Sequence, residues 1–225
     1  MVVAVLVGCR GESRQTPPAA GSAAAVDTGL ATVGDFRNPA APEMKATAPA
    51  TFRVKFETSR GDFVVQVQRE WAPIGADRFY VLARSGYFDG VRFFRVLPGF
   101  VAQFGMHGDP AVSRIWFEQR LTDDPVRHGN TRGTITFATA GPNTRTTQLF
   151  INFGNNNMLD GQGFSPFGEV VEGMAVVDSL HAGYGEGAPR GRGPDQGRIR
   201  AEGNAYLERD FPQLDYVKKA RILTN

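Results

Sequence analysis

The chain has 225 residues, of which 41% are hydrophobic and 21% charged, the composition of an ordinary globular protein with one sizeable core and length left for a tail. Its 25 Lys and Arg nearly balance 23 Asp and Glu, giving a formal charge of +2, and the signs are interspersed, so neither nucleic acid nor an acidic membrane surface is an expected partner. His107, His128 and His181 stand singly and Cys9 is the only cysteine, which argues against a metal centre and an intrachain disulfide.

Along the chain, Met1 to Gly8 is an apolar run too short to span a bilayer, directly ahead of Cys9. It reads as the end of a signal peptide. Leu6-Val7-Gly8-Cys9 also resembles the bacterial lipobox, in which the cysteine is lipidated and becomes the mature N-terminus. No Lys or Arg precedes the apolar run, so the signal pattern is incomplete, and a plain apolar N-terminus is the alternative. Residues 1–9 are expected to be this signal, and residues 10–50, rich in Ala, Pro, Ser, Thr and Gly, a disordered linker. The expected location is the bacterial cell envelope, with the only membrane contact at Cys9, or the cytoplasm if the signal does not function.

Residues 51–225 carry the patterns of a folded domain. Phe52 to Glu57 alternates apolar and polar side chains, and Asp62 to Val67 follows a turn at Ser59-Arg60-Gly61, which predicts a hairpin. Pro73 opens a segment whose apolar positions fall at helical spacing until Gly86. Short β-type runs follow at Val91 to Val96, Phe100 to Phe104, Gly133 to Ala138, Leu149 to Phe153 and Phe167 to Val171. Met174 to Leu180 suits a second helix, Ile199 to Arg209 a possible third, and Tyr216 to Leu223 a last strand. With 27 glycines for tight turns and 17 phenylalanines for strands and apolar pockets, the class is mainly β, a closed or nearly closed antiparallel barrel.

Two stretches hold the chemistry. In Phe93-Phe94-Arg95-Val96-Leu97-Pro98-Gly99-Phe100-Val101-Ala102-Gln103-Phe104-Gly105, alternation puts Arg95 opposite Phe94 and with Phe93, and Val101 with Gln103, so one wall could display Arg95 and Gln103 together. The second runs from Phe137 to Asn152 through Ala138-Thr139-Ala140-Gly141-Pro142-Asn143, with Gln148 and Phe150 on one side, and is followed by Leu159-Asp160-Gly161 and Phe167-Gly168. These blocks, in this order, resemble the cyclophilin pattern F-H-R-V-x-x-G-F-x-x-Q-x-G and A-x-A-G-P-N-T-x-x-x-Q-F-F-I, from about Phe52 to about Leu223.

The resemblance implies an eight-stranded antiparallel β-barrel capped by two or three α-helices, and peptidyl-prolyl cis/trans isomerase activity on proline-containing polypeptides, assisting their folding without a cofactor, in a monomer. It implies that Arg95 is the catalytic arginine and that Gln103 supports it. Phe100, Val101, Phe150 and Leu159 would form the proline pocket, with Ala138, Thr139, Ala140, Gln148 and Met158 completing the groove. Phe94, Val101 and Met158 depart from the family's usual histidine, methionine and tryptophan, and Met158 implies weak cyclosporin binding. The family's histidine after L-D-G is absent, and Phe164 is placed to close the pocket instead.

Read without the motif, Arg95 would be a surface cation and the phenylalanines core side chains. Gly183 to Gly187 and Arg190 to Gly193 read as a surface turn and a solvated loop. His107 and His128 read as solvated. A proline-peptide-binding or envelope scaffold protein without turnover is the alternative from another functional class.

Overall fold

The structure, a computed structural model, describes Met1 and residues 34–224. The signal-like run after Met1, Cys9 and the linker up to residue 33 lie outside the described residues. Residues 34–50 do not behave as a linker. Phe36 packs on Tyr87 and His107 with ring centroids 6.0 and 5.2 Å away, and its carbonyl accepts the Trp116 indole N–H at 2.7 Å. A short 3-10 turn, Pro42–Lys45, buries Met44, and the Ala48 amide donates to Asp77 at 2.8 Å. Mean composition conceals these anchors because two apolar side chains, correctly placed, are enough to dock an otherwise small-residue segment. His107 belongs to this packing rather than to solvent, and burial pushes its imidazole pKa down. His128 likewise stacks on Trp71, 3.7 Å between centroids.

The hairpin forms as β1 (Thr51–Thr58) and β2 (Gly61–Gln68), closed by the Thr58–Gly61 pair with Gly61 at φ +129°. Alternation sends Phe52, Val54 and Phe56 inward while Arg53, Lys55 and Glu57 stay partly exposed. Helix α1 (Pro73–Arg84) has no side-chain cap at Ala72. Its first free amides, at Ile74 and Gly75, instead donate to the two carboxylate oxygens of Asp124, each at 2.9 Å.

The remaining strands are β3 (Arg95–Leu97), β4 (Val101–Phe104), β5 (Thr134–Phe137), β6 (Leu149–Asn152), β7 (Pro166–Glu172) and β8 (Val217–Leu223). All pair antiparallel in one sheet of order β3-β4-β6-β5-β7-β2-β1-β8. The sheet curls into a half-barrel. The segment ahead of β3 is tied to β8 where Val217 donates to Val91 and accepts from Gly90, both at 2.8 Å, and where the Phe93 amide reaches the Asp215 carbonyl at 2.9 Å. Inside lies a phenylalanine core in which Phe56 stacks on Phe63 at 4.8 Å and Phe79 meets Phe167 at 4.9 Å.

Five α-helices, not two or three, lie among the described residues. The additional α2 (Pro110–Phe117) has a local signal: Asp109 caps the Ala111 amide at 2.8 Å and Pro110 opens the first turn. Helix α3 (Met174–Asp178) is shorter than expected. The segment from Ile199 to Arg209 is two helices, α4 (Gln196–Glu202) and α5 (Asn204–Asp210), because Gly203 breaks it at φ +62° with no room for a side chain against Pro110.

The strand expected from Val91 covers only Arg95–Leu97, and strict alternation does not extend back to the two phenylalanines. Phe93 enters the main core, whereas Phe94 turns into a second cluster with Met106, Ile199, Tyr206, Leu207 and Leu214. Phe94, where the family usually has histidine, is thus the seat of α4 and α5. The first residue of α4, Gln196, lies at the wall of the cavity that holds Arg95.

Candidate active site

The β3–β4 register sets Arg95 directly across from Gln103, and the β4–β6 register sets Gln103 across from Phe150. Strand alternation then separates the faces. Ala102 and Phe104 point into the main core, while Val101 and Gln103 face outward with Phe150. Val101, Phe150 and Leu159 form their own apolar cluster, and Phe100, Ala138 and Phe164 pack around it. Phe164 meets Phe150 edge to face at 5.7 Å.

These side chains, with Thr139, line a cavity of about 420 Å³ whose polar side is Arg95 and Gln103. The Arg95 Nη1 donates to the Gln103 amide oxygen at 3.1 Å, and the Gln103 amide nitrogen donates to Gln148 at 2.9 Å. Gln148 in turn donates to Gln196 of α4 at 3.2 Å. Gln148 therefore serves the site through Gln103 rather than as part of the cavity lining. The guanidinium carbon lies 5.8 Å from the Phe100 ring centroid.

Two further expected groove residues lie outside the lining. Met158 is 61% exposed and outside the cavity wall, because the 3-10 turn Asn157–Gln162 directs Leu159 inward in its place. Ala140 is exposed in a loop whose amide donates to Thr144 at 2.9 Å. Thr139 stays at the wall, but its hydroxyl is committed to Gly141 and Thr144 within that loop.

The opposite wall was not foreseen. Glu186 to Arg190 and Gln196 line the cavity, where the sequence suggested only a surface turn and a solvated loop. Glu186 holds Arg95 through both oxygens, Oε1 accepting from Nε at 2.6 Å and Oε2 from Nη2 at 2.7 Å. The hydrogen bonds from Arg95, aided by the Gly187 amide, hold the Glu186 carboxyl below the usual carboxylate range. A glutamate in a glycine-rich run, ninety-one positions from its partner, leaves no local pattern by which to find it.

A buried polar network fixes the apolar half of the cavity. Asn130, fully buried, donates to Asp160 at 2.7 Å and to the Phe164 carbonyl at 2.8 Å, and accepts from Thr136 at 3.0 Å. Asn156 ties Asn152, at 2.7 Å, to the Phe100 carbonyl, at 3.0 Å. The network thus pins the backbone on either side of Leu159 and at Phe100. Asn130→Ala is expected to cost about 1–3 kcal/mol, because Asp160 and Thr136 lose a buried partner. Urea unfolding should show a lower midpoint with an unchanged slope. An unchanged midpoint would mean that solvent replaces the amide at no cost.

The family model for cyclophilin type peptidyl-prolyl cis-trans isomerases matches residues 53–199. A peptidyl-prolyl cis-trans isomerase of Schizosaccharomyces pombe is 37% identical over 132 residues, covering 56% of this chain and 83% of that protein. Peptidyl-prolyl cis-trans isomerase B of Escherichia coli is 34% identical over 141 residues, covering 56% and 82%. In fold, the chain is similar to a crystal structure of a Cryptosporidium parvum cyclophilin type isomerase, with a TM-score of 0.58, 21% identity and coverage of 78% and 99%. A second structure of that protein was obtained in the presence of the dipeptide Ala-Pro. With the family pattern spanning well over half of its length on a curled eight-stranded sheet, the chain belongs to the cyclophilin-type peptidyl-prolyl cis-trans isomerase family.

Proposed function

We propose that this chain accelerates rotation about X-Pro bonds of polypeptides lying across the cavity, with Arg95 as the catalytic group, Gln103 as its support and Phe100, Val101, Phe150, Leu159 and Phe164 as the proline seat. The observation that carries the reading is a guanidinium at the polar rim of an apolar cavity, three of its N–H groups committed to Glu186 and Gln103. A guanidinium has five such donors, so two have no partner among the described residues and remain for a ligand.

Rotation of an amide costs about 18–20 kcal/mol because resonance is lost as the bond twists. The proline nitrogen then becomes pyramidal and regains a lone pair. A donor aimed at that nitrogen binds the twisted state better than either planar one, which is what lowers a barrier. An apolar seat that fixes the ring makes this interaction stronger than it would be in water. No bond is made or broken in the step.

The test is two-dimensional exchange NMR on a proline tetrapeptide with and without the purified chain. Cis and trans signals are expected to exchange faster in its presence. Peptide binding with an unchanged exchange rate would favour a binding protein without turnover.

We also propose that the isomerase domain acts on exported polypeptides in a bacterial envelope, as a monomer held there by a lipid on Cys9. Leu6-Val7-Gly8-Cys9 supports that location. Mass measurement of the mature N-terminus tests it, and an unmodified Cys9 behind an intact Met1 would refute it.

A further inference from the structure

We propose that Glu186 is a positioning residue of the isomerase site, fixing the Arg95 guanidinium so that its two uncommitted N–H groups face the bound X-Pro bond. The inference rests on the catalytic reading of Arg95 above. Glu186 meets the Nε–Nη2 edge of the guanidinium with both oxygens, at 2.6 and 2.7 Å, while Gln103 takes Nη1 at 3.1 Å. An arginine side chain otherwise samples many rotamers, and anchors at two edges of one rigid fork leave it a single orientation. Gln103 alone, bound at one nitrogen, would let the fork swing.

The loop that delivers Glu186 is built to hold it. The Gly193 amide donates to the Glu186 carbonyl at 2.8 Å, and the Gly187 amide returns to Glu186 Oε1 at 2.9 Å. Ala188 donates to Gly193 at 3.2 Å, so the chain from Glu186 to Gly193 closes on itself. Gly191 and Gly193 lie against the Glu186 backbone, and a Cβ on Gly193 would come within 2.8 Å of the Glu186 carbonyl oxygen. Only bare backbone fits there. Upstream, Tyr184 is wedged edge to face against His181 and Phe211, each at 5.0 Å, which fastens the loop to α5.

A carboxylate on a catalytic cation could instead compete with substrate. Three features favour positioning: the cavity keeps about 420 Å³ open beside Glu186, two guanidinium N–H groups have no partner among the described residues, and the loop is fastened on both sides of Glu186. A competing side chain would have to leave before each turnover. This one is held by its own backbone.

The experiment compares the full chain with Glu186→Gln, Glu186→Ala and Arg95→Ala in the proline-peptide exchange assay. Glu186→Ala is expected to lower kcat by on the order of tenfold or more, the rate equivalent of one hydrogen bond to a charged group, with KM little changed. Glu186→Gln keeps one acceptor for Arg95 and should fall between Ala and wild type. The charged groups acting on Glu186 are Arg95 and Arg190, both cationic, and both favour its ionised form. Wild-type kcat should therefore hold through the ordinary carboxylate range, then fall as Glu186 is protonated below it, a step that Glu186→Gln lacks. A loss from mere unfolding would not remove that step. As a second route, Gly191→Val pushes on the Glu186 carbonyl with the carboxylate intact, and should reproduce the drop in kcat.

If Arg95→Ala is inactive while Glu186→Ala keeps or exceeds wild-type kcat, the positioning role is overturned and Glu186 is a competitor or a structural residue. If wild type itself does not accelerate exchange, the isomerase reading fails, and this inference with it.

Discussion

Arg95→Lys is expected to lower kcat/KM for X-Pro exchange by about 10²–10³-fold, the usual effect of losing one preorganised donor to a developing negative centre. The substitution keeps the charge, so a purely electrostatic role would survive it. The geometry does not survive it. Arg95 answers three acceptor atoms on two residues, Glu186 Oε1 and Oε2 and Gln103 Oε1, and still has donors left. An ammonium has only three donors on one flexible nitrogen, and cannot satisfy both partners and a ligand at once. Stability should change little, because the Arg95–Glu186 pair is part-exposed, with side chains 18% and 34% accessible, and such pairs contribute at most about 1 kcal/mol. Exchange NMR for activity and thermal unfolding for stability check the two halves separately. Near-wild-type turnover by Arg95→Lys would mean that a cation at this position suffices and that the fork held by Glu186 and Gln103 is not what the reaction requires.

How far this site could be read from the residues alone depends on the sequence distance over which each interaction acts. Arg95, Gln103 and Phe150 were legible because a strand repeats every two residues and adjacent strands enforce the register: one face of β4 carries Val101 and Gln103, and its neighbours bring Arg95 and Phe150 opposite Gln103. The same rule failed at Phe93 and Phe94, which precede β3 and obey packing instead. There the second apolar cluster on α4 and α5 captures Phe94, and no pattern near residue 94 announces helices a hundred positions later. Glu186 was invisible for the same reason, since its partner is chosen by where the loop from Glu186 to Gly193 docks. Glycines around it suggested a turn, correctly, but not that the turn holds a side chain in the site. Docked residues 34–50 were missed because composition averages over length, whereas Phe36 and Met44 act as single anchors. Met158 misled by position: the 3-10 turn that carries it aims Leu159 at the cavity and Met158 at solvent.

The largest expected loss of stability belongs to a residue outside the cavity. Asp124 has a side chain only 1% accessible and pairs with Arg145, itself 2% accessible, at 3.0 Å. Its two oxygens also accept the Ile74 and Gly75 amides, so one carboxylate both neutralises a buried cation and caps α1. Asp124→Ala is therefore expected to destabilise the chain by about 3 kcal/mol, the low end of the range for breaking a buried pair, because Arg145 keeps the part-exposed Asp123 at 3.2 Å. Two contributions can be separated. In the double variant Asp124→Ala with Arg145→Met the buried cation is gone, and with it the penalty for leaving it to Asp123 alone, but the α1 amides remain without their acceptor. The double variant should thus recover part of the loss and retain about 1–2 kcal/mol, the range for a missing helix cap. Asp124→Asn, which keeps one acceptor oxygen near α1 but no charge for Arg145, should fall between wild type and Asp124→Ala. Denaturant midpoints of the four proteins supply the measurement. If the double variant is as unstable as Asp124→Ala alone, the cation is not what makes Asp124 indispensable, and the cap on α1 carries the whole effect.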